Sequence, residues 1–237
     1  MSEWALKRFW KDATVEPVED GYAIKLDGRG VKTPAKTPLV VPTTGLAEAI
    51  AEEWRAQEDK VNPALMPFTR TSNSALDKVA TQHAEVAEML AAYGDSDLLC
   101  YRADRPAELV ARQNTQWDPL LEWAAEAFDA RLTAQPGVMY QAQDKAALDR
   151  LSQHVHGQSA FELAAFHDLV AMSGSLVLAL AVVHGARDPE TAWTLSRLDE
   201  TWNEEQWGVD EDAAATAAIK RGEFLHAARY HALATGA

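Results

Sequence analysis

One cysteine, Cys100, stands in a chain of 237 residues. A single thiol closes no internal disulfide and builds no cysteine-rich zinc site, which points to a reducing compartment. Basic charge is also short, since 22 Lys and Arg face 36 Asp and Glu for a formal net charge of −14. Such a surface repels polyanions, so nucleic acid is not an expected partner. Long apolar runs are missing as well. The most apolar stretch, 169–183, lies between Asp168 and His184 and falls short of the roughly 18 residues that a membrane span requires. No membrane insertion is expected, and the stretch reads as a core helix. Neither G-x-G-x-x-G nor G-x-x-x-x-G-K occurs, which leaves no nucleotide-phosphate cradle. The opening MSEWALKRFWKDA has no apolar h-region and carries Glu3 and Asp12, unlike a signal or transit peptide. The expected location is therefore the cytoplasm.

What the chain does hold is 47% apolar residues, enough to core one large or two small domains. Its acidity is uneven: residues 1–80 carry 11 basic and 12 acidic side chains, and the rest carry 11 and 24. Strand and turn signals cluster in residues 1–43, in the alternation Tyr22-Ala23-Ile24-Lys25-Leu26, the turn Asp27-Gly28-Arg29-Gly30, Val31, Thr33 and Leu39-Val40-Val41. Pro17, Pro34, Pro38 and Pro42 require these strands to be short, bulged or at edges. From Thr43 or Thr44 as N-cap, Leu46, Ala49, Ile50 and Trp54 recur at helical spacing, with Glu48, Glu52 and Glu53 outside. An extended 61–68 precedes a longer helix from about Ser74 to a stop at Gly94. Everything later reads helical: 106–130, 144–156, 159–184, 189–207 and 210–234, with short Gly or Pro breaks as in a bundle. The fold class expected is α+β, with a small N-terminal α+β domain of short β-strands over 1–75 and a larger all-helical C-terminal domain over 76–237.

Candidate chemistry is thin. Asp95-Ser96-Asp97 has the spacing of the paired aspartates of phosphoryl-transfer hydrolases, in which one carboxylate attacks phosphorus beside Mg²⁺. Such a nucleophile follows an apolar strand, whereas these residues follow a helix stop and are placed to cap Leu98-Leu99-Cys100-Tyr101. His154 and His156 are two apart on a helix and so point about 200° from one another, a poor arrangement for one metal ion. Cys100 with His83 or His167 as base has no recognisable nucleophile setting, and a buried structural thiol is the simpler reading. Ser173-Gly174-Ser175, inside the most apolar helix, suggests close helix packing. The most informative segment is Asp199 to Asp212, DETWNEEQWGVDED, with seven acidic residues, no basic one, and Trp202 and Trp207 interleaved. It reads either as a solvated helix end or as a recognition surface in which aromatics anchor and carboxylates steer a basic partner. Of the eight Trp, most belong in the core and one or two at an interface. On residues alone the chain is an acidic, two-part α+β protein without a catalytic constellation, and binding is favoured by elimination.

Several runs in order along the chain carry more. Lys7-Arg8-Phe9, Lys32-Thr33-Pro34, Glu53-Trp54 with Gln57, Thr69 with Asn73, Leu76-Asp77, Asp95 with Asp97, and Cys100-Tyr101-Arg102 are followed by Trp117-Asp118-Pro119 with Trp123, Leu195-Ser196-Arg197-Leu198 with Glu200, and Trp207-Gly208. Together they resemble the assembly chaperones for the alpha subunit of the F-type ATP synthase catalytic head, found in mitochondria and some bacteria. The resemblance implies a non-enzymatic protein without catalytic residues, cofactor or metal, a monomer when free, that binds unassembled alpha subunit and shields its beta-facing interface until beta displaces it. It also implies Glu200, beside Arg197 and Asp199, as the first partner contact, with Trp207, Asp95, Asp97 and Arg102 as further ones and Trp54 as a core residue. Residues 203–206 do not match the family runs, so Glu204 and Glu205 have no assigned role. The start of the chain, close to the first run, suits a bacterial-type member. The competing expectations are a metal-dependent phosphohydrolase using Asp95 and Asp97, and an acidic adaptor for another basic partner.

Overall fold

The computed structural model describes residues 7–236, so the reading of the first six residues as no targeting segment lies outside the described residues. The chain forms two compact units: residues 7–83 with 159–165 and 229–236, and residues 84–158 with 166–228.

In the first unit, β1 (Ala13–Val18) and β2 (Gly21–Leu26) pair antiparallel in the register Ala13 to Leu26 through Val18 to Gly21. The expected turn at Asp27-Gly28 leads into β3 (Arg29–Gly30), and β4 (Val40–Val41) joins β2 antiparallel. Alternation sends Ile24 and Leu26 inward. Thr43 caps α1 (Thr44–Arg55) by accepting the Leu46 N–H at 3.2 Å, and Leu46, Ile50 and Trp54 bury the face of α1 that packs on the sheet. Trp10, Leu39, Met66, Phe68 and Tyr230 complete this core.

Several of the runs that carry the resemblance hold this unit together. The Arg8 guanidinium donates to the carbonyls of Trp10, Arg55 and Gln57, and the Trp10 indole donates to the Trp54 carbonyl at 3.2 Å. Thr33 donates its hydroxyl to Asp77 at 2.6 Å and the Ala35 N–H reaches the other carboxylate oxygen at 3.1 Å, bonds that hold Asp77 below the ordinary carboxylate range. Glu53, expected on the outer face of α1, instead caps α2 (Pro67–Asp77): it accepts from the N–H groups of Phe68 and Thr69 and from the Thr69 hydroxyl at 2.6–2.8 Å. Burial raises its carboxyl against those bonds.

That cap also corrects the expected helix of 74–94. With Pro67 at its first turn and Glu53 on its N–H groups, α2 begins seven residues early, and 63–65 forms a 3-10 turn where extended chain was expected. Lys78 leaves the helical region at φ −122°, a 3-10 turn at Val79–Thr81 follows with Val79 buried, and α3 (His83–Ala91) begins afresh.

The second unit is helical apart from a two-residue parallel pair, β5 (Tyr101–Arg102) with β6 (Gln135–Pro136). Its helices are α3 from Ala84 onward, α4 (Ala107–Phe128), α5 (Lys145–His156), the later part of α6 (Ala160–Ser173), α7 (Leu176–Val183), α8 (Pro189–Ser196), α9 (Leu198–Trp207) and most of α10 (Glu211–Thr235). All of Leu176 to Ala181 are 0% exposed, with α4 and α8 packed on α7. The single helices expected over 159–184 and 189–207 are each two. Gly174, at φ +69°, ends α6, and a Cβ there would meet only Leu98 Cβ at 3.9 Å, so the Ser173-Gly174-Ser175 run is a helix break rather than a close-packing site. Arg197, at φ −105° and ψ 16°, separates α8 from α9. Among the described residues, no helix is long and apolar enough to cross a membrane.

Candidate functional site

Asp188 caps α8 by accepting the Thr191 N–H at 2.9 Å, and Trp193 and Leu195 bury its inner face. Leu198, 2% exposed, then fixes the start of α9. A helix pinned at that point presents its other side outward. Arg197 donates to Glu200 at 2.9 Å and lies 3.8 Å from Glu204, so one guanidinium serves two carboxylates. Asp199 turns the other way and accepts from the Gln113 amide at 2.7 Å. Glu205 holds Arg112 through both oxygens at 2.6 and 3.0 Å, which lowers its carboxyl through that hydrogen bond. Gly208, at φ +92°, ends α9 where a side chain would be strained, and leaves Trp207 80% exposed.

The remaining expected contacts lie in different surroundings. Asp97 caps the turn at Leu98–Cys100, accepting the Leu99 N–H at 3.0 Å as the sequence suggests. It also accepts the Ser175 hydroxyl at 2.7 Å and the Val177 N–H at 2.9 Å, with none of its surface exposed. Burial pushes its carboxyl up to about 6 against the pull of those hydrogen bonds. Asp95 accepts from the Tyr140 hydroxyl at 2.6 Å and the Gln143 N–H at 2.8 Å, which lower its carboxyl. Arg102, 6% exposed, donates to the Leu99 carbonyl at 2.7 Å and to Asn114 at 3.0 Å, pairs with Asp118 at 2.9 Å, and lies over the Trp117 ring.

Gln113 is the residue that sequence reasoning missed. Buried at 1% on α4, it accepts the Ala103 N–H at 2.8 Å while donating to Asp199, so it ties the segment after Arg102 to α9. A glutamine among the inward positions of an amphipathic helix was the available signal. Trp117 makes a second tie, its indole donating to the Leu195 carbonyl at 3.0 Å.

The chemical alternatives meet the same geometry. Asp95 and Asp97 spend their oxygens on separate partners, so the two carboxylates do not converge on a phosphoryl group. No group of three or more His, Cys, Asp or Glu side chains among the described residues is arranged to hold a metal ion. His154 packs on Phe128 with ring centroids 4.3 Å apart, while His156 faces Glu88 at 3.4 Å. Cys100 is 1% exposed, and burial pushes its thiol up to about 12, where the nucleophilic thiolate is scarce.

The chain is similar to known proteins over most of its length. A family model described as ATP12 chaperone protein matches residues 7–125. The crystal structure of Atp12 from Paracoccus denitrificans is 46% identical and superposes with a TM-score of 0.95, covering 98% of this chain and 100% of that one. A crystal structure of an Agrobacterium tumefaciens protein is 43% identical with a TM-score of 0.89, over 95% of this chain and 84% of that one. The mitochondrial protein atp12 of Schizosaccharomyces pombe is 27% identical over 222 residues, 88% of this chain and 76% of its own.

Proposed function

Because the chain belongs to the ATP12 chaperone family, whose members assist assembly of the F-type ATP synthase alpha subunit and are not enzymes, we propose that it caps the beta-facing surface of unassembled alpha and gives it up to beta. A free alpha subunit exposes the surface it later buries against its neighbours, and exposed patches of that kind aggregate. A reversible cap prevents this without turnover, provided that the alpha–beta interface is the tighter of the two.

The observation that carries the choice of surface is α9. Glu200 and Trp207 are exposed on a helix whose start is held by buried Leu198 and whose flank is tied by Gln113. Exposed carboxylates beside an aromatic anchor suit recognition. Glu200, with Arg197 and Trp207, is the proposed contact. Asp199 supports it through Gln113, and Asp97 and Arg102 act from the interior by fixing the elements around it. Asp95 contributes by holding Tyr140, which is 63% exposed. The proposed setting is the bacterial cytoplasm, with the chaperone monomeric when free.

Co-expression with the cognate alpha subunit, with and without beta, followed by size-exclusion chromatography, tests the reading. Soluble alpha that co-elutes with the chain and is released by beta is the expected outcome. Alpha that stays aggregated, or assembled heads bound as tightly as free alpha, overturns it.

A further inference from the structure

Between α9 and α10 runs an open groove of about 630 Å³, within the size range of ligand-sized cavities. One wall is the α9 stripe Glu200, Glu204 and Trp207, whose helical spacing sets all three on one face, with Arg197 beside it just before the helix. The other wall is the first half of α10, where Asp212, Thr216 and Lys220 follow at i, i+4 and i+8, with Ala213 and Ala217 beside them. None of residues 211–223 is buried, and Ile219 is 66% exposed. This half of α10 is a helix face that the other described residues leave unburied.

The charge of the groove is lopsided. Four carboxylates, those of Glu200, Glu204, Asp210 and Asp212, face two cations, Arg197 and Lys220. Arg197 is already shared by Glu200 and Glu204, and Asp210 is engaged as an N-cap, accepting the Ala213 N–H at 2.9 Å. The Asp212 carboxylate enters no hydrogen bond or ion pair among the described residues. The Trp207 ring, 80% exposed at one end, offers its face to a cation.

Resting on the alpha-subunit reading above, we propose that this groove takes a short arginine- or lysine-bearing segment of the alpha subunit. The cation stacks on Trp207 and bonds the Glu204 and Asp212 carboxylates, a planar guanidinium being suited to both contacts at once. Ala213 and Ala217 let the incoming backbone come close to α10. A second copy of the same chain is a poor occupant, because a molecule of net charge −14 brings like charge to an acidic groove.

The test uses the full chain and purified alpha subunit, with affinity measured between low and high salt. The double variant Glu204→Gln with Asp212→Asn is expected to weaken binding by about tenfold at low salt and to flatten the salt dependence. Trp207→Ala is expected to weaken binding by a similar factor of about ten. Lys220→Glu is expected to tighten binding by roughly threefold, a direction that misfolding cannot mimic. Glu223→Gln, beyond the groove on α10, serves as the control. Zero-length carboxyl-to-amine crosslinking of the complex, with peptide mapping, is expected to join Glu204 or Asp212 to a lysine of a basic alpha segment. If unaltered chain binds alpha but all three groove variants match it, the occupant is wrong and the chaperone reading stands. If unaltered chain does not bind alpha, the chaperone reading falls and takes this occupant with it.

Discussion

Asp97 holds its two oxygens against three donors with none of its surface exposed, whereas Glu200 keeps half of its side chain in solvent and shares one guanidinium. Both are carboxylates in the same helical unit, and both lie in runs that resemble one family. Their employment differs because of what each can reach. Asp97 faces the break between α6 and α7, where Gly174 ends one helix and the first N–H groups of the next need acceptors. Glu200 sits on a helix whose inner side is already satisfied by Leu198, so its charge is directed outward. An acidic residue in such a run is available to a partner only where the fold does not consume it.

The comparison breaks most visibly at Asp97. Replacing it with alanine leaves the Ser175 hydroxyl and the Leu99 and Val177 N–H groups without their acceptor, at a cost of about 3 kcal/mol or more in unfolding free energy. Urea unfolding of variant and parent measures it, and an unchanged midpoint would show that this carboxylate is not a keystone.

Next in size is a pH effect from the same group. Burial pushes the Asp97 carboxyl up to about 6 from an ordinary value of 3.8. A raised value means that the folded state favours the protonated form. The group's stabilising contribution is therefore complete below pH ~4 and is lost as pH rises through about 6, amounting to about 3 kcal/mol across that window. Asp97→Asn removes this titration, so the stability difference between parent and variant should change between pH 4 and 7. Parallel profiles would contradict the assignment.

On the exposed side, Glu200→Lys is expected to weaken alpha binding by roughly ten- to a hundredfold. The unfolding midpoint should hardly move, because an ion pair that is half in solvent contributes little. Isothermal titration and thermal unfolding on the same samples separate the two effects. Lost cooperativity of unfolding would move Glu200 into the group to which Asp97 belongs.

How much of this was legible in the sequence follows the range of each interaction. The Asp27-Gly28 turn, the Thr43 cap and the Asp97 cap of Leu99 depend on neighbours two or three positions away, and the residue pattern exposed them. The breaks within 159–184 and 189–207 were hidden, because apolar periodicity continues through Gly174 and Arg197 while the acceptor that stabilises the new helix start, Asp97, is 80 residues from Val177. Glu53 escapes the pattern for the same reason: its spacing puts it outside α1, and only the approach of Phe68 and Thr69 turns it into a cap. For the candidate site, the acid-rich stretch with its tryptophans was plain, but Gln113 was not, because one polar residue on an inward helix face names no partner. Nor could spacing tell Trp207, at 80% exposure, from the buried Trp193.

The finest form of the comparison lies within α9, where two adjacent glutamates differ in commitment more than in chemistry. Glu205 bonds Arg112 through both oxygens, and that guanidinium also lies over the Trp202 ring. Glu204 meets only the edge of Arg197 at 3.8 Å. An incoming cation can take Glu204 without breaking a well-formed pair, whereas at Glu205 it would have to displace a bidentate one. Glu204→Gln is therefore expected to weaken alpha binding a few-fold, roughly two to five, and Glu205→Gln by less than about twofold. Exposure alone would rank them the other way, since Glu205 is 47% exposed and Glu204 35%. Titrating both variants side by side decides which property governs: if Glu205→Gln weakens binding more, accessible charge is what the partner reads, and the distinction between consumed and available carboxylates holds only for the buried Asp97.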